Sequence, residues 1–156
     1  MSNFDLIVKG GTVSTASDTF KADIAVNGGR IVALGEDLGA ANQIVDAKNM
    51  IVLPGGIDSH CHIEQESSTR LMTADDFFSG SVSAVFGGNT TFIPFAAQHR
   101  GQSLREVIKI AHERAGPKSV IDYAFHLIIS DPSEKVLGQE LPALIMEGYT
   151  SFKVYM

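Results

Sequence analysis

Met50-Ile51-Val52-Leu53-Pro54-Gly55-Gly56-Ile57-Asp58-Ser59-His60-Cys61-His62 is the stretch on which the reading of this 156-residue chain turns. Its apolar part, residues 50–59, predicts one buried strand. Successive strand side chains point to opposite faces, so His60 and His62 share a face and Cys61 points away. Two imidazoles side by side at a strand end can hold one divalent metal ion. The texture of the chain also changes here, from short β-segments before it to alternating strand and helix after it.

Before residue 50, alternating or β-branched segments are separated by turn residues. Phe4–Lys9 gives way at Gly10-Gly11 to Thr12–Ser14, and Asp23–Val26 passes through Asn27-Gly28-Gly29 to Arg30–Leu34. Asn-Gly between two such runs is a strong hairpin signal, so residues 1–50 are expected to form a small antiparallel element. After strand 50–59 and a polar loop at 63–72, a helix is expected near Ala74–Phe86, with Thr73 as N-cap and Gly87-Gly88 as its end. Thr90–Phe95 reads as a second strand. Ser103 opens a helix with Leu104, Val107, Ile108 and Ala111 on one face, ended by Gly116-Pro117. Val120–Ile129 is a third strand. Asp131-Pro132-Ser133 starts a helical stretch to Glu147 that Pro142 must kink or divide, and Thr150–Tyr155 is a fourth strand.

Strands recurring at about 30 residues with helices between them predict right-handed βαβ units and a parallel sheet. That sheet is either open and doubly wound or part of an eightfold barrel. A complete (β/α)8 barrel takes about 250 residues, and this chain reaches only its fourth strand. An exposed parallel edge is a poor place for a domain to stop. The chain therefore reads as the first part of a larger protein, with domains at 1–50 and 51–156.

Composition narrows the function. The chain is 44% apolar and 19% charged, as a globular protein is. No apolar run approaches the length of about 18–20 residues that crosses a bilayer. Met1-Ser2-Asn3-Phe4-Asp5 lacks the basic and apolar regions of a signal peptide. With one cysteine there is no intramolecular disulfide framework, and a cytoplasmic location is expected. A net charge of −6 without a Lys/Arg stripe would repel phosphate backbones and anionic lipid, so neither nucleic acid nor membrane is an expected partner. Phosphate loops, dinucleotide fingerprints, nucleophile elbows and zinc-ribbon cysteines have no match.

Pro54-Gly55-Gly56-Ile57-Asp58-Ser59-His60-Cys61-His62 resembles the first metal-binding signature of the amidohydrolase superfamily. The surrounding chain resembles that superfamily's dihydropyrimidinase and hydantoinase branch. Gly87-Gly88-Asn89-Thr90-Thr91-Phe92-Ile93 resembles the branch's second-strand segment. Gly148-Tyr149-Thr150-Ser151-Phe152-Lys153-Val154-Tyr155-Met156 resembles the segment that carries a carboxylated lysine. The likeness runs from residue 4 to 156. It implies an α/β fold, the first half of a metal-dependent (β/α)8 TIM-like barrel preceded by part of a small β-sandwich.

The resemblance also implies two divalent metal ions, zinc being the first choice, with His60, His62 and a carbamate on Lys153 as ligands. Asp58 is expected behind them, orienting the histidine strand. The implied reaction is hydrolytic opening of small cyclic amides, dihydropyrimidines and hydantoins, by a metal-bridging hydroxide, in a complete protein that is a homotetramer. The general-base aspartate, two further histidines and the substrate-binding tyrosine are expected beyond Met156. No catalytic residue is then assigned within this chain, Tyr155 lying too near Lys153 to be that tyrosine, and the isolated chain is expected to be inactive.

Two alternatives stand beside this, an allantoinase-like cyclic ureide hydrolase and a non-catalytic scaffold relative. Phe152–Met156 and Ile93-Pro94-Phe95 favour the pyrimidine and hydantoin branch, and retention of both histidines and the lysine argues against a scaffold. Many dihydropyrimidinases continue past the second histidine with an aspartate and an apolar-proline segment. Here Ile63-Glu64-Gln65-Glu66-Ser67-Ser68 follows, which leaves the preferred ring substituent open. Cys61 is expected to be a packed thiol, His99 and His126 to be structural, and His112 to lie on a solvated helix face.

Overall fold

The computed structural model describes residues 4–67 and 70–155; Met1-Ser2-Asn3, Ser68-Thr69 in the loop after His62, and Met156 lie outside the described residues. The chain divides into two compact units, Met1–Pro54 and Gly55–Met156.

The first unit is one five-stranded sheet made of β1 (Phe4–Ser14), β2 (Thr19–Asn27), β3 (Arg30–Gly35), β4 (Ala41–Asp46) and β5 (Ile51–Val52). Its order is β3-β2-β1-β4, with β5 also on β1. The β1–β2 and β2–β3 pairs are antiparallel, as the hairpin signal predicts. Gly28 (φ +56°) and Gly29 (φ +72°) supply the two positive φ values of a type I′ turn. The sheet as a whole is mixed rather than antiparallel, because β4 and β5 run parallel to β1. After β3 the chain returns to the start of β1, where the Phe4 N–H donates to Ala40 O at 3.0 Å, and so re-enters the sheet in the direction of β1.

Gly10-Gly11 is not a turn either. The strand runs straight through it, with a register shift between Val8 and Gly11 and φ +76° at Gly10. One extra residue switches the face of everything after it. Val8 and Val13, of opposite parity, therefore pack into one cluster with Ala22, Ile24, Val26 and Val52. A Cβ on Gly11 would sit 2.6 Å from Val52 Cγ2, so the bulge admits no larger residue there.

The run 50–59 does not form a single buried strand. Ile51–Val52 belongs to the first sheet, Leu53-Pro54-Gly55 makes no ladder, and β6 (Gly56–Cys61) opens the second sheet. Pro54 has no N–H to continue a ladder, and Ile51 and Leu53 are 69% and 65% exposed.

The second unit continues with α1 (Phe77–Phe86), β7 (Asn89–Ala97), α2 (Leu104–Ala115), β8 (Asp122–Tyr123), β9 (His126–Ile129), a π-helical turn (Val136–Glu140), α3 (Leu141–Met146) and β10 (Phe152–Val154). All its ladders are parallel. The order is β6-β7-β9-β10, with β8 beside β7. Neighbours in space follow the chain with no reversal, unlike a doubly wound sheet, and the result is a parallel half-barrel. Its core lies between strands and helices, where Phe92, Ala96, Leu127 and Ile129 meet Leu104, Val107, Ile108 and Leu144.

The amphipathic α2 begins at the expected cap, Ser103, whose side chain accepts from the Arg105 N–H. The other helices correct the sequence reading. Asp76 rather than Thr73 caps α1, through a reciprocal capping box with Ser79. Thr73 Oγ1 is taken up by the loop, accepting from the Gln65 N–H at 3.1 Å. The expected third strand is broken at Ala124-Phe125, where the Ala124 N–H turns to Phe92 O at 3.2 Å and Phe125 is buried. Pro142 divides the last helical stretch by sitting in the first turn of α3, where a missing N–H costs nothing.

Candidate functional site

Strand parity builds the site around Phe95. Phe92 and Ala96 of β7 face the helix-packed core, as do Leu127 and Ile129 of β9. Phe95 and His126, paired across the β7–β9 ladder, take the opposite face. Over Phe95 gather the side chains singled out in the sequence. The His60 ring centroid lies 4.8 Å from that of Phe95, and His62 stacks on Phe95 at 5.0 Å. The two imidazoles are 5.6 Å apart, edge to face. Lys153, from the other outer strand, places Nζ 4.7 Å above the same ring and 5.6 Å from the ring of Tyr155. An ammonium or amine held over aromatic faces is a favourable placement for a half-buried lysine.

His60, His62 and Lys153 thus each lie within 5.0 Å of one ring centroid, although β6 and β10 share no ladder. Cys61 is on the other side, packed against the core. Burial first, and the Asp58 charge second, pushes its thiol up to about 11, so it is a protonated packing group at neutral pH. Asp58 Oδ1 accepts the His60 backbone N–H at 3.0 Å and holds the strand end rather than an imidazole.

The sequence reading passed over three side chains that the structure brings to this site. The first is Phe95, whose parity relative to Phe92 was the available signal. The second is Gln65, whose Oε1 lies 2.7 Å from His62 Nδ1. The third is His126, set aside as structural, whose ring lies 5.1 Å from Phe95 and whose two nitrogens meet Ser59 O and Ser151 Oγ. His112 lies exposed on α2, as expected. Its Nε2 bonds Tyr149 Oη at 2.8 Å and its ring packs edge-on against Phe125. The His99 backbone N–H donates to Gln102 Oε1 at 3.0 Å.

The loop after His62 is anchored on its far side. Glu64 takes two 2.8 Å contacts from Lys118 Nζ and accepts the Phe77 N–H at 3.2 Å, while Arg114 donates to Glu64 O. The Glu64 carboxylate raises the Lys118 pKa, first through its hydrogen bond. Between this loop, β7 and α2 lies a cavity of about 110 Å³ bordered by Gln65, Phe95, His99 and Arg114. Among the described residues, no group of three or more His, Cys, Asp or Glu side chains is placed to hold a metal ion.

A mixed sheet followed by a parallel half-barrel superposes on solved hydantoinases. One D-hydantoinase structure superposes with a TM-score of 0.93 at 43% identity, covering 97% of this chain and 33% of that one. The L-hydantoinase of Arthrobacter aurescens superposes with a TM-score of 0.78 at 25% identity, covering 96% and 32%. In sequence, the D-hydantoinase of Geobacillus stearothermophilus is 43% identical over 152 residues, which are 96% of this chain and 32% of the relative. The dihydropyrimidinase of Rattus norvegicus is 36% identical over 158 residues, 97% and 30%. No protein-family model matches the chain. The chain is homologous, over nearly all its length, to the D-hydantoinases and dihydropyrimidinases, an enzyme family, and it spans about a third of the length of these relatives.

Proposed function

We propose that the protein is a metal-dependent hydrolase that opens cyclic amides of the dihydropyrimidine and hydantoin type, with His60, His62 and a carbamate on Lys153 as metal ligands. The observation that carries this is the convergence of both imidazoles and Lys153 Nζ on the Phe95 ring, within 5.0 Å of its centroid. The kinship with hydantoinases and dihydropyrimidinases supports the choice of substrate class.

The residues fit a divalent ion by their own chemistry. The carbonyl oxygen of Gln65 can only accept, so His62 Nδ1 bears the proton and Nε2 keeps its lone pair for a metal. Imidazole nitrogen and carbamate oxygen suit zinc among the common divalent ions. When bound, a pair of such ions supplies the Lewis acidity that makes water a nucleophile at neutral pH and polarises an amide carbonyl. The Lys153 amine attacks carbon dioxide at carbon, forming an N–C bond as one C=O π pair moves onto oxygen; one proton leaves the nitrogen for solvent, and the carbamate's single negative charge is shared by two oxygens. Asp58 keeps the backbone at His60 in place by its hydrogen bond. Phe95 is an apolar floor that excludes water beneath the ligands.

The test is intact-mass and metal analysis of the full-length protein, with turnover of dihydrouracil, hydantoin and allantoin compared. Expected are a carbon dioxide adduct at Lys153, loss of metal and adduct in Lys153→Ala, and turnover of dihydrouracil or hydantoin above allantoin. An unmodified Lys153 whose substitution leaves the metal content unchanged would sink the mechanism.

A further inference from the structure

The His126 ring is engaged at both nitrogens by groups that flank the candidate ligands. Nε2 lies 2.9 Å from Ser59 O, which can only accept, so Nε2 carries the proton. In the neutral ring Nδ1 is then the acceptor, and the Ser151 hydroxyl donates to it. Ser59 immediately precedes His60, and Ser151 stands two residues before Lys153. With both nitrogens committed, His126 has no lone pair left for a metal ion.

The ladders alone do not explain how the ligands meet. Lys153 and the histidines lie on strands separated by both β7 and β9. Adjacent strands sit about 4.8 Å apart, so on a flat sheet these ends would be roughly 14 Å apart. Phe95 stands on β7 between them, and a curl toward its face shortens the span that the side chains must cross. Each of the β7–β9 and β9–β10 ladders has three residue pairs, too few to set that curl firmly. A side chain that starts on β9, passes beside Phe95 and ends on a β6 carbonyl crosses the curl directly.

We propose that His126 is a positioning residue, a strap from Ser59 to Ser151 that holds the ends of β6 and β10 at the separation where His60, His62 and Lys153 meet over Phe95. Its consequence for metal binding rests on the hydrolase reading, whereas its consequence for the strand ends does not.

The experiment compares full-length wild type, His126→Phe, His126→Gln and Ser151→Ala by zinc content after chelator competition, adduct at Lys153, and amide hydrogen exchange. His126→Phe keeps a ring beside Phe95 but removes both polar arms. It is expected to weaken zinc retention by about tenfold or more, as losses of outer partners around a metal do, with less adduct and faster exchange around residues 59–62 and 151–154. His126→Gln restores a donor and an acceptor of similar reach and is expected to recover most of the zinc and the adduct. Recovery of that kind would not follow if the ring only filled space. Should His126→Phe fail to fold, Ser151→Ala removes one arm by a single atom and should shift all three readouts the same way by less. Unchanged zinc, adduct and exchange in the folded variants would overturn the strap. If wild type itself holds no zinc, the hydrolase reading fails, and the strap is upheld or overturned by the exchange difference alone.

Discussion

At the scale of single residues, the tautomer of His62 is the feature on which the proposed metal binding turns. Gln65 reaches back three positions to Nδ1 because the loop bends at Glu64, which sits at φ +46° and is pinned by Lys118. Replacing Gln65 by Leu removes the acceptor and frees the ring to take either tautomer. Zinc affinity should fall about 10- to 100-fold. Gln65→Glu, which keeps an acceptor, should fall less. Competition against a chromophoric chelator measures the affinity, and nitrogen shifts of the His62 ring report the tautomer. Unaltered affinity and tautomer in Gln65→Leu would remove Gln65 from the site. The two histidines were legible in the sequence because a period of two at a strand end is a local rule. Gln65 was not, because its contact depends on a backbone bend that neither composition nor periodicity encodes. His126 was hidden for another reason, since its partners lie 67 and 25 positions away along the chain.

At the scale of elements, α2 is held at its start by a side chain from a different segment. Glu140, at the end of the π turn, accepts the Leu104 N–H at 2.7 Å and the Ser103 hydroxyl at 3.0 Å, and pairs with Lys135. Burial works against its charge. The Leu104 N–H, Lys135 and Ser103 outweigh that, and the carboxyl is held below its ordinary range. The folded-state pKa is thus depressed, so the stability Glu140 contributes is fully present above the unfolded pKa and is lost as pH falls through the folded one. Glu140→Ala leaves the N–H of the fully buried Leu104 without its acceptor and should cost about 1–3 kcal/mol near neutral pH. The gap in melting temperature between wild type and Glu140→Gln should narrow as pH drops through the acid range. A gap constant across that range would remove the carboxylate from the account. The α2 span itself was readable from Leu104, Val107 and Ile108 recurring with helical period behind a serine cap. The start of α1 was misplaced because Thr73 and Asp76 both precede the apolar run, and the choice fell to a loop contact 8 residues back, at Gln65. The break at Pro54 was masked by unbroken apolarity, since hydropathy does not distinguish two strands in two sheets from one.

At the scale of the molecule, donor arithmetic sets what these residues can do by themselves. Zinc takes about four donors in a closed site. Two imidazole nitrogens and the two oxygens of one carbamate fall short of satisfying a pair of ions, even with shared oxygens and water. Relatives about three times as long are consistent with further donors elsewhere in the complete protein. Strands recurring about every 30 residues foretold a parallel sheet with right-handed crossovers but left its order open between a doubly wound sheet and a barrel, and the order found is β6-β7-β9-β10. The convergence of side chains from the β6 and β10 ends on one ring was not foreseeable, because it depends on contacts across strands that share no ladder. The 156-residue polypeptide prepared alone should therefore show no measurable turnover of dihydrouracil or hydantoin at any zinc concentration, while the full-length protein does. The comparison is made by following ring opening with both proteins at equal molarity, after zinc and bicarbonate are supplied to each. Loss of turnover confined to the short polypeptide would fit a centre completed from outside these strands. Robust turnover by the short polypeptide would mean that two histidines and one lysine suffice, and the two-ion reading would have to be given up.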